Sequence, residues 1–234
     1  MRRGRSALPV GMRLMGYTLN FAAVWRSFDL LLEGLALSLI LAFVAILIGC
    51  AIGLATAFCL MSKSSFYRRP ARLYVTIIRN TPILVLILFA YFALPQLGVR
   101  FDKFESFVLT LAIYSGAYLA EVFRAGLSSV PAGLREAGLA IGLREPQIRG
   151  AIILPLMMRN VLPSLGSTFI SLFKDTSLAA AIAIPELTFE ARKINVESFR
   201  VIETWIVTSL LYVATCSVLA ALIRVAERRM TIPK

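Results

Sequence analysis

The sequence predicts an all-α protein that crosses a bilayer several times. Three observations carry that reading. Hydrophobic residues make up 59% of the 234, and mean hydropathy is +0.80, more apolar content than a soluble domain of this size needs. Residues 34–60 contain no charged side chain at all, and such a run is long enough to span hydrocarbon with some tilt. The net charge of +12 sits in short basic clusters flanking apolar runs, the pattern of cytoplasmic membrane loops rather than of a nucleic-acid-binding stripe.

The elements follow in order. Residues 1–29 carry five arginines and no acid before Asp29. They lack the apolar core of a cleavable leader. Leu14, Met15, Phe21, Val24 and Trp25 fit a segment at the membrane surface, and a disordered tail fits the first residues equally. The first span is 34–60, and its Gly49-x-x-x-Gly53 permits close helix packing. Lys63, Arg68, Arg69 and Arg72 follow and hold that end in the cytoplasm. The second span is 82–99, opened by Pro82. A short mixed-charge loop leads to the third, 106–123.

Residues 124–160 form the longest stretch between two spans and are expected to be a cytoplasmic loop. Within it, Pro131 stands at a helix start. Leu134, Ala137, Gly138 and Ile141 share one helical face, and Gly142 is a stop signal. The face is small, which admits a close approach by another backbone, and Arg135 and Glu136 put charge beside it. The same periodicity also describes an ordinary amphipathic connector. A second short helix is expected near Pro146, with Pro155 and Pro163 punctuating the way into the fourth span, 161–185.

That fourth span contains Lys174 and Asp175, and charge in hydrocarbon is costly. Neighbours on a helix point about 100° apart, so the two cannot simply face each other; each needs another partner, or the helix is interrupted. With Thr176 and Ser177 they read either as the lining of a path for a zwitterionic solute or as a buried network that fixes helices. Residues 186–200 are a polar external loop with room for a short helix, and 204–223 is the fifth span. Arg224, Arg228, Arg229 and Lys234 end the chain inside. Five spans put the N-terminus outside, against the pull of its arginines.

Cys50, Cys59 and Cys216 lie in apolar runs without metal-ligand or staple spacing, and read as small buried hydrophobes. The chain has no histidine, which removes Ser-His-Asp chemistry and histidine metal sites, and no phosphate-binding glycine loop.

Four stretches together resemble one family. Glu136-Ala137-Gly138, then Gly142, then Ile153-Leu154-Pro155 is similar to the EAA loop of permease subunits of ABC importers, with Gly138 where the family has Ala. Arg79-Asn80-Thr81-Pro82 resembles the Arg-Gly-Thr-Pro of the branch for polar amino acids, with Asn80 for Gly. Ala117 to Arg124, which includes Glu121, and Lys174 to Leu178 resemble two further signatures of that branch.

The resemblance implies a type I importer permease over about 30–229, with a five-helix core and a short C-terminal tail, 230–234. It implies a second permease chain, the same or related, a pair of cytoplasmic ATPase subunits and an external amino acid binding protein, in a bacterial inner membrane. ATP and magnesium then belong to the ATPase, and no cofactor to this chain. Arg135, Glu136, Ala137, Gly138, Gly142 and Pro155 become the expected ATPase-coupling residues. Lys174, Asp175, Thr176, Ser177 and Glu121 become the substrate-path candidates. The rival from another class is a self-sufficient channel or an ion-coupled carrier, in which Lys174 and Asp175 form an ion site. Such carriers show internal repeats, and no repeat is visible here.

Overall fold

The computed structural model describes residues 17–230, with the side chain of Met230 outside the description. Among these residues every regular element is helical. The sequence reading of residues 1–16 and 231–234 lies outside the described residues.

A short helix, α1 (Ala22–Arg26), precedes the long α2 (Phe28–Met61). Val24 of α1 is buried and Trp25 is exposed. The uncharged run places small residues along one side of α2. A Cβ on Gly53 would lie 2.7 Å from Leu119 Cβ and 3.0 Å from the Gly116 carbonyl oxygen. A Cβ on Gly49 would collide with Ser115. The two glycines therefore seat α2 directly on α5 (Lys103–Ser128), as their spacing predicts. The buried faces of these two helices supply most of the core around Leu41, Ala45, Leu111 and Leu119.

Between them lies the first departure from expectation. The basic stretch after α2 is a 15-residue helix, α3 (Ser65–Arg79), with Val75 buried. The Tyr74 hydroxyl donates to the Ile113 carbonyl at 2.6 Å, tying α3 to the middle of α5. After Asn80-Thr81-Pro82 the chain turns by 103° into a helical run over 83–97. That run consists of α4 (Ile83–Leu88), a π-helical turn at Phe89–Ala93 and a 3-10 turn at Leu94–Leu97. On its own it is shorter than the ~20 residues a span needs. The expected second span, 82–99, is thus the second arm of a bent helix pair. Among the described residues four helices are long and apolar enough to cross a membrane, or five when the bent pair is counted as one span. Pro82 explains the break, since it donates no N–H and disfavours helix at the residue before it.

After α5 come α6 (Ala132–Ala140) and α7 (Glu145–Ile148). A π-helical turn, Arg149–Ile153, then joins α7 to α8 (Leu154–Asp175) without a break. The expected loop of 124–160 contracts accordingly. Alpha helix α5 reaches Ser128, and one helical run extends over Glu145–Ile182. Pro155 is the second residue of α8 but lies inside that continuous run, so the backbone donor it lacks falls directly after the π-helical turn. Pro163 lies inside α8 rather than ending it. Packing holds the helix there: Val161 and Met157 close over Gly126 of α5. At the charged pair the α-helix tightens, and Asp175 is followed within the same run by a 3-10 segment, Thr176–Ile182.

The polar segment 186–200 contains α9 (Leu187–Ser198), and α10 (Val201–Met230) completes the chain. Two buried carboxylates tie this end together. Glu186 caps α9, accepting from the Thr188 and Phe189 amides at 2.9 Å each, and from the Tyr212 hydroxyl of α10 at 3.3 Å. Burial pushes its carboxyl up, and these hydrogen bonds, with one from Ser38 of α2, pull it back. Glu203 accepts from the Tyr17 hydroxyl and, at 2.7 Å, from the Asn20 amide. Lys103 Nζ donates to the carbonyl of Ala183 at 2.8 Å. The starts of α2, α5, α9 and α10 are thereby gathered at one end, and α6 and α7 lie at the other. The three cysteines are unpaired and only half-buried, less enclosed than their apolar surroundings in the sequence predict.

Candidate functional site: the α6 projection and the polar face of α5

Helix α6 ends as its sequence requires. Gly142 adopts φ +84°. Its amide donates to the Leu139 carbonyl, and the Leu143 amide donates to the Gly138 carbonyl, both at 3.0 Å. That pair of bonds is a Schellman stop, and the left-handed position favours glycine. No heavy atom lies within 4 Å of where a Gly142 Cβ would be, so the backbone and not crowding sets the residue there.

Of the nine residues in α6, only Gly138 is buried. A Cβ on it would lie 2.9 Å from Ile148 Cγ1 of α7. The smallness at 138 therefore serves the chain's own packing of α6 on α7, not the outward face. Arg135, Glu136 and Ala137 are exposed. Arg135 forms an ion pair with Glu145 of α7, which fixes the angle between the two short helices. Leu134, Leu139 and Ile141 are 37%, 43% and 76% exposed, apolar side chains with no cover from the described residues. Pro155 is exposed too, at the foot of α8.

The substrate-path candidates separate on inspection. Asp175 lines a cavity of about 230 Å³ between α5 and α8, with Tyr114, Tyr118, Ser167, Thr168 and Ser171. Asp175 makes no ion pair among the described residues, not even with Lys174. Lys174 is exposed and lies off this cavity. Thr176 is fully buried, and its hydroxyl donates to the Phe173 carbonyl at 2.7 Å. It closes the end of α8 and does not face the cavity. Ser177 is half-buried in the 3-10 segment, also outside the lining.

Glu121 belongs to a second, larger cavity of about 640 Å³, bounded by Arg72, Arg79, Asn80, Tyr118 and Arg124 among others. Glu121 pairs with Arg124 at 2.6 Å. The Arg79 guanidinium carbon stands 5.1 Å from the centre of the Tyr118 ring, a cation–π distance. Tyr114 donates to Tyr118 at 3.2 Å between hydroxyls. In the sequence Arg79 and Tyr118 stand inside two of the family-like stretches without a site role, and Tyr114 lies outside them. The available signal was spacing, since Tyr114, Tyr118 and Glu121 fall at i, i+4 and i+7 on one face of α5. Chemically, one cavity offers a carboxylate and hydroxyls to a cation, and the other offers guanidinium groups to an anion.

Comparison with known proteins identifies the family. Residues 45–232 match the family model described as binding-protein-dependent transport system inner membrane component. The glutamine transport system permease protein GlnP of Escherichia coli (strain K12) is 38% identical over 215 residues, 91% of this chain and 98% of that one. The L-cystine transport system permease protein TcyB of Bacillus subtilis (strain 168) is 34% identical, covering 92% of this chain and 93% of that one. Among solved structures, a crystal structure of an amino acid ABC transporter with histidines matches at TM-score 0.84 and 33% identity, over 91% of this chain and all of that one. An inward-facing methionine ABC transporter, MetNI, matches in fold at TM-score 0.73 and 19% identity, over 88% of this chain and 99% of that one. The self-sufficient channel and the ion-coupled carrier give way to this result. The chain belongs to the binding-protein-dependent transport system inner membrane component family and is a membrane-spanning permease subunit of an amino acid ABC importer.

Proposed function

We propose that this permease moves a polar amino acid inward across a bacterial inner membrane by alternating access, driven by a separate ATPase docked on α6. The observation that carries the reading is the exposed state of α6. A nine-residue helix with one buried residue, exposed apolar side chains and charge beside it has the composition of an interface awaiting a partner. Lys63, Arg69 and Arg72 near the same end, with Arg228 and Arg229 at the foot of α10, support a cytoplasmic location. From α7 into α8 the chain is one helical run, and α6 rests on α7 through Gly138 against Ile148 and the Arg135–Glu145 pair. A push on α6 is therefore delivered as rigid-body motion to the helix that holds Asp175.

ATP and magnesium belong to the ATPase pair. The bundle opens toward a second permease, the same or related, and an external binding protein delivers the solute. Asp175 receives the ammonium of the amino acid, with the hydroxyls of Ser167, Thr168 and Ser171 around it. The relatives' names make glutamine, cystine and arginine the first solutes to try, glutamine foremost.

The test is Glu136→Lys in the assembled complex. ATPase co-purification and uptake are expected to fall about tenfold or more, as for a charge reversed within an interface, with insertion of the permease unchanged. Wild-type co-purification together with wild-type uptake refutes the docking role.

A further inference from the structure

The two cavities share one wall. Tyr118 lines both, with Asp175 on one side and Arg72, Arg79 and Arg124 on the other. The larger cavity holds three guanidinium groups against one carboxylate, Glu121, which Arg124 already neutralises. Arg72 and Arg79 have no carboxylate partner among the described residues. Arg79 does have a ring beneath it: Tyr118, itself held by the hydroxyl of Tyr114. The Asp175 cavity shows the reverse balance, one carboxylate and no lining cation.

A zwitterionic amino acid in the Asp175 cavity thus satisfies its ammonium and leaves its carboxylate without a cationic partner. That partner stands behind Tyr118, toward the end of the bundle where α6 projects. The Arg79–Tyr118 contact also sits at the break of the bent span, and broken helices absorb motion where continuous ones do not. Turning α3 against α5 would lift the guanidinium from the ring and free it to turn.

We infer that the arginine-lined cavity is an inner station for the carboxylate of the transported amino acid, and that Tyr118, clamped under Arg79, is the partition it passes. This rests on the substrate path placed at Asp175. It adds a second, cationic site and a gate between the two.

The test uses the complete complex of permease, ATPase and binding protein in vesicles, reading labelled glutamine uptake and ATP hydrolysis together. The double variant Arg72→Gln/Arg79→Gln is expected to lose roughly tenfold in uptake per ATP, the scale of a lost charge-assisted contact. The glutamine concentration that half-stimulates hydrolysis stays unchanged. Arg79→Lys retains the charge and recovers most of the uptake. Tyr118→Phe keeps the ring face and transports well, whereas Tyr118→Ala lets accumulated glutamine run back once ATP is spent.

Wild-type uptake per ATP in the double variant overturns the inference. So does a defect confined to vesicles containing phosphatidylglycerol and absent in phosphatidylcholine alone, because that assigns the cavity to a lipid phosphate. Asp175→Asn separates the two levels. Full uptake in that variant sinks the substrate path itself. Impaired uptake there, beside a normal double variant, sinks the inner station alone.

Discussion

The two ends of this bundle are built on opposite principles. At the α9 end, chain segments far apart in sequence are pinned by buried carboxylates. Glu186 is 0% exposed and accepts from two amides and two hydroxyls, and Glu203 is equally buried under Tyr17 and Asn20. At the α6 end, a short helix rests on the chain through one glycine and one ion pair, and presents leucines and an isoleucine outward. Buried hydrogen bonding of this density makes an anchor, because loosening it strands polar groups in an apolar setting. Sparse contact makes a handle, because its missing contacts are supplied by something else. Substitutions at the first end should therefore act on assembly, and those at the second on coupling.

The largest effect is expected for Glu186→Ala. It leaves the Thr188 and Phe189 amides without their acceptor inside the bundle, a loss of about 3 kcal/mol. Its signature is a lower yield of folded permease from membranes and a lower melting midpoint in detergent, with transport per surviving complex near normal. Gly53→Leu comes next. Its side chain must displace Leu119 and the Gly116 backbone, and overpacking of this kind costs about 1–3 kcal/mol. The same thermal measurement checks it, and an unshifted midpoint would show that α2 and α5 are less closely fitted than their glycines imply. The smallest effect is expected for Gly142→Ala. A left-handed φ with open space around it costs an alanine about 1 kcal/mol. Its global midpoint should barely move, while coupling of hydrolysis to uptake weakens because α6 no longer stops where the partner expects it. A large drop in midpoint with intact coupling would erase the contrast between the ends.

The sequence made some of this legible and hid the rest for definable reasons. The four continuous spans were readable because their apolar runs leave no alternative solvent. Gly142 was readable as a stop, and Gly49 and Gly53 as a seam, because each has a single steric use at its position. Helix α3 was not. Its Arg68, Arg69 and Arg72 carry the charge of a loop, and its membership of the bundle depends on the burial of Val75 and on Tyr74 meeting α5, which are tertiary facts. Pro163 suggested an interruption that packing against Gly126 overrides. The charged pair at 174 and 175 left open a partner elsewhere or an interrupted helix, and the α-helix changes there to a 3-10 segment within one run. Only the fold reveals that Asp175 turns toward Tyr114 while Thr176 turns back on its own helix. Gly138 was read as part of an outward face, and its meaning became clear only with Ile148 beside it.

The most direct test of the account is uptake of labelled glutamine into vesicles containing the purified permease alone, compared with vesicles that also hold its ATPase and receive binding protein and ATP. The account predicts no concentrative uptake by the permease alone and ATP-dependent accumulation by the full set. Accumulation by this chain alone, at a rate matching the full set, would contradict it.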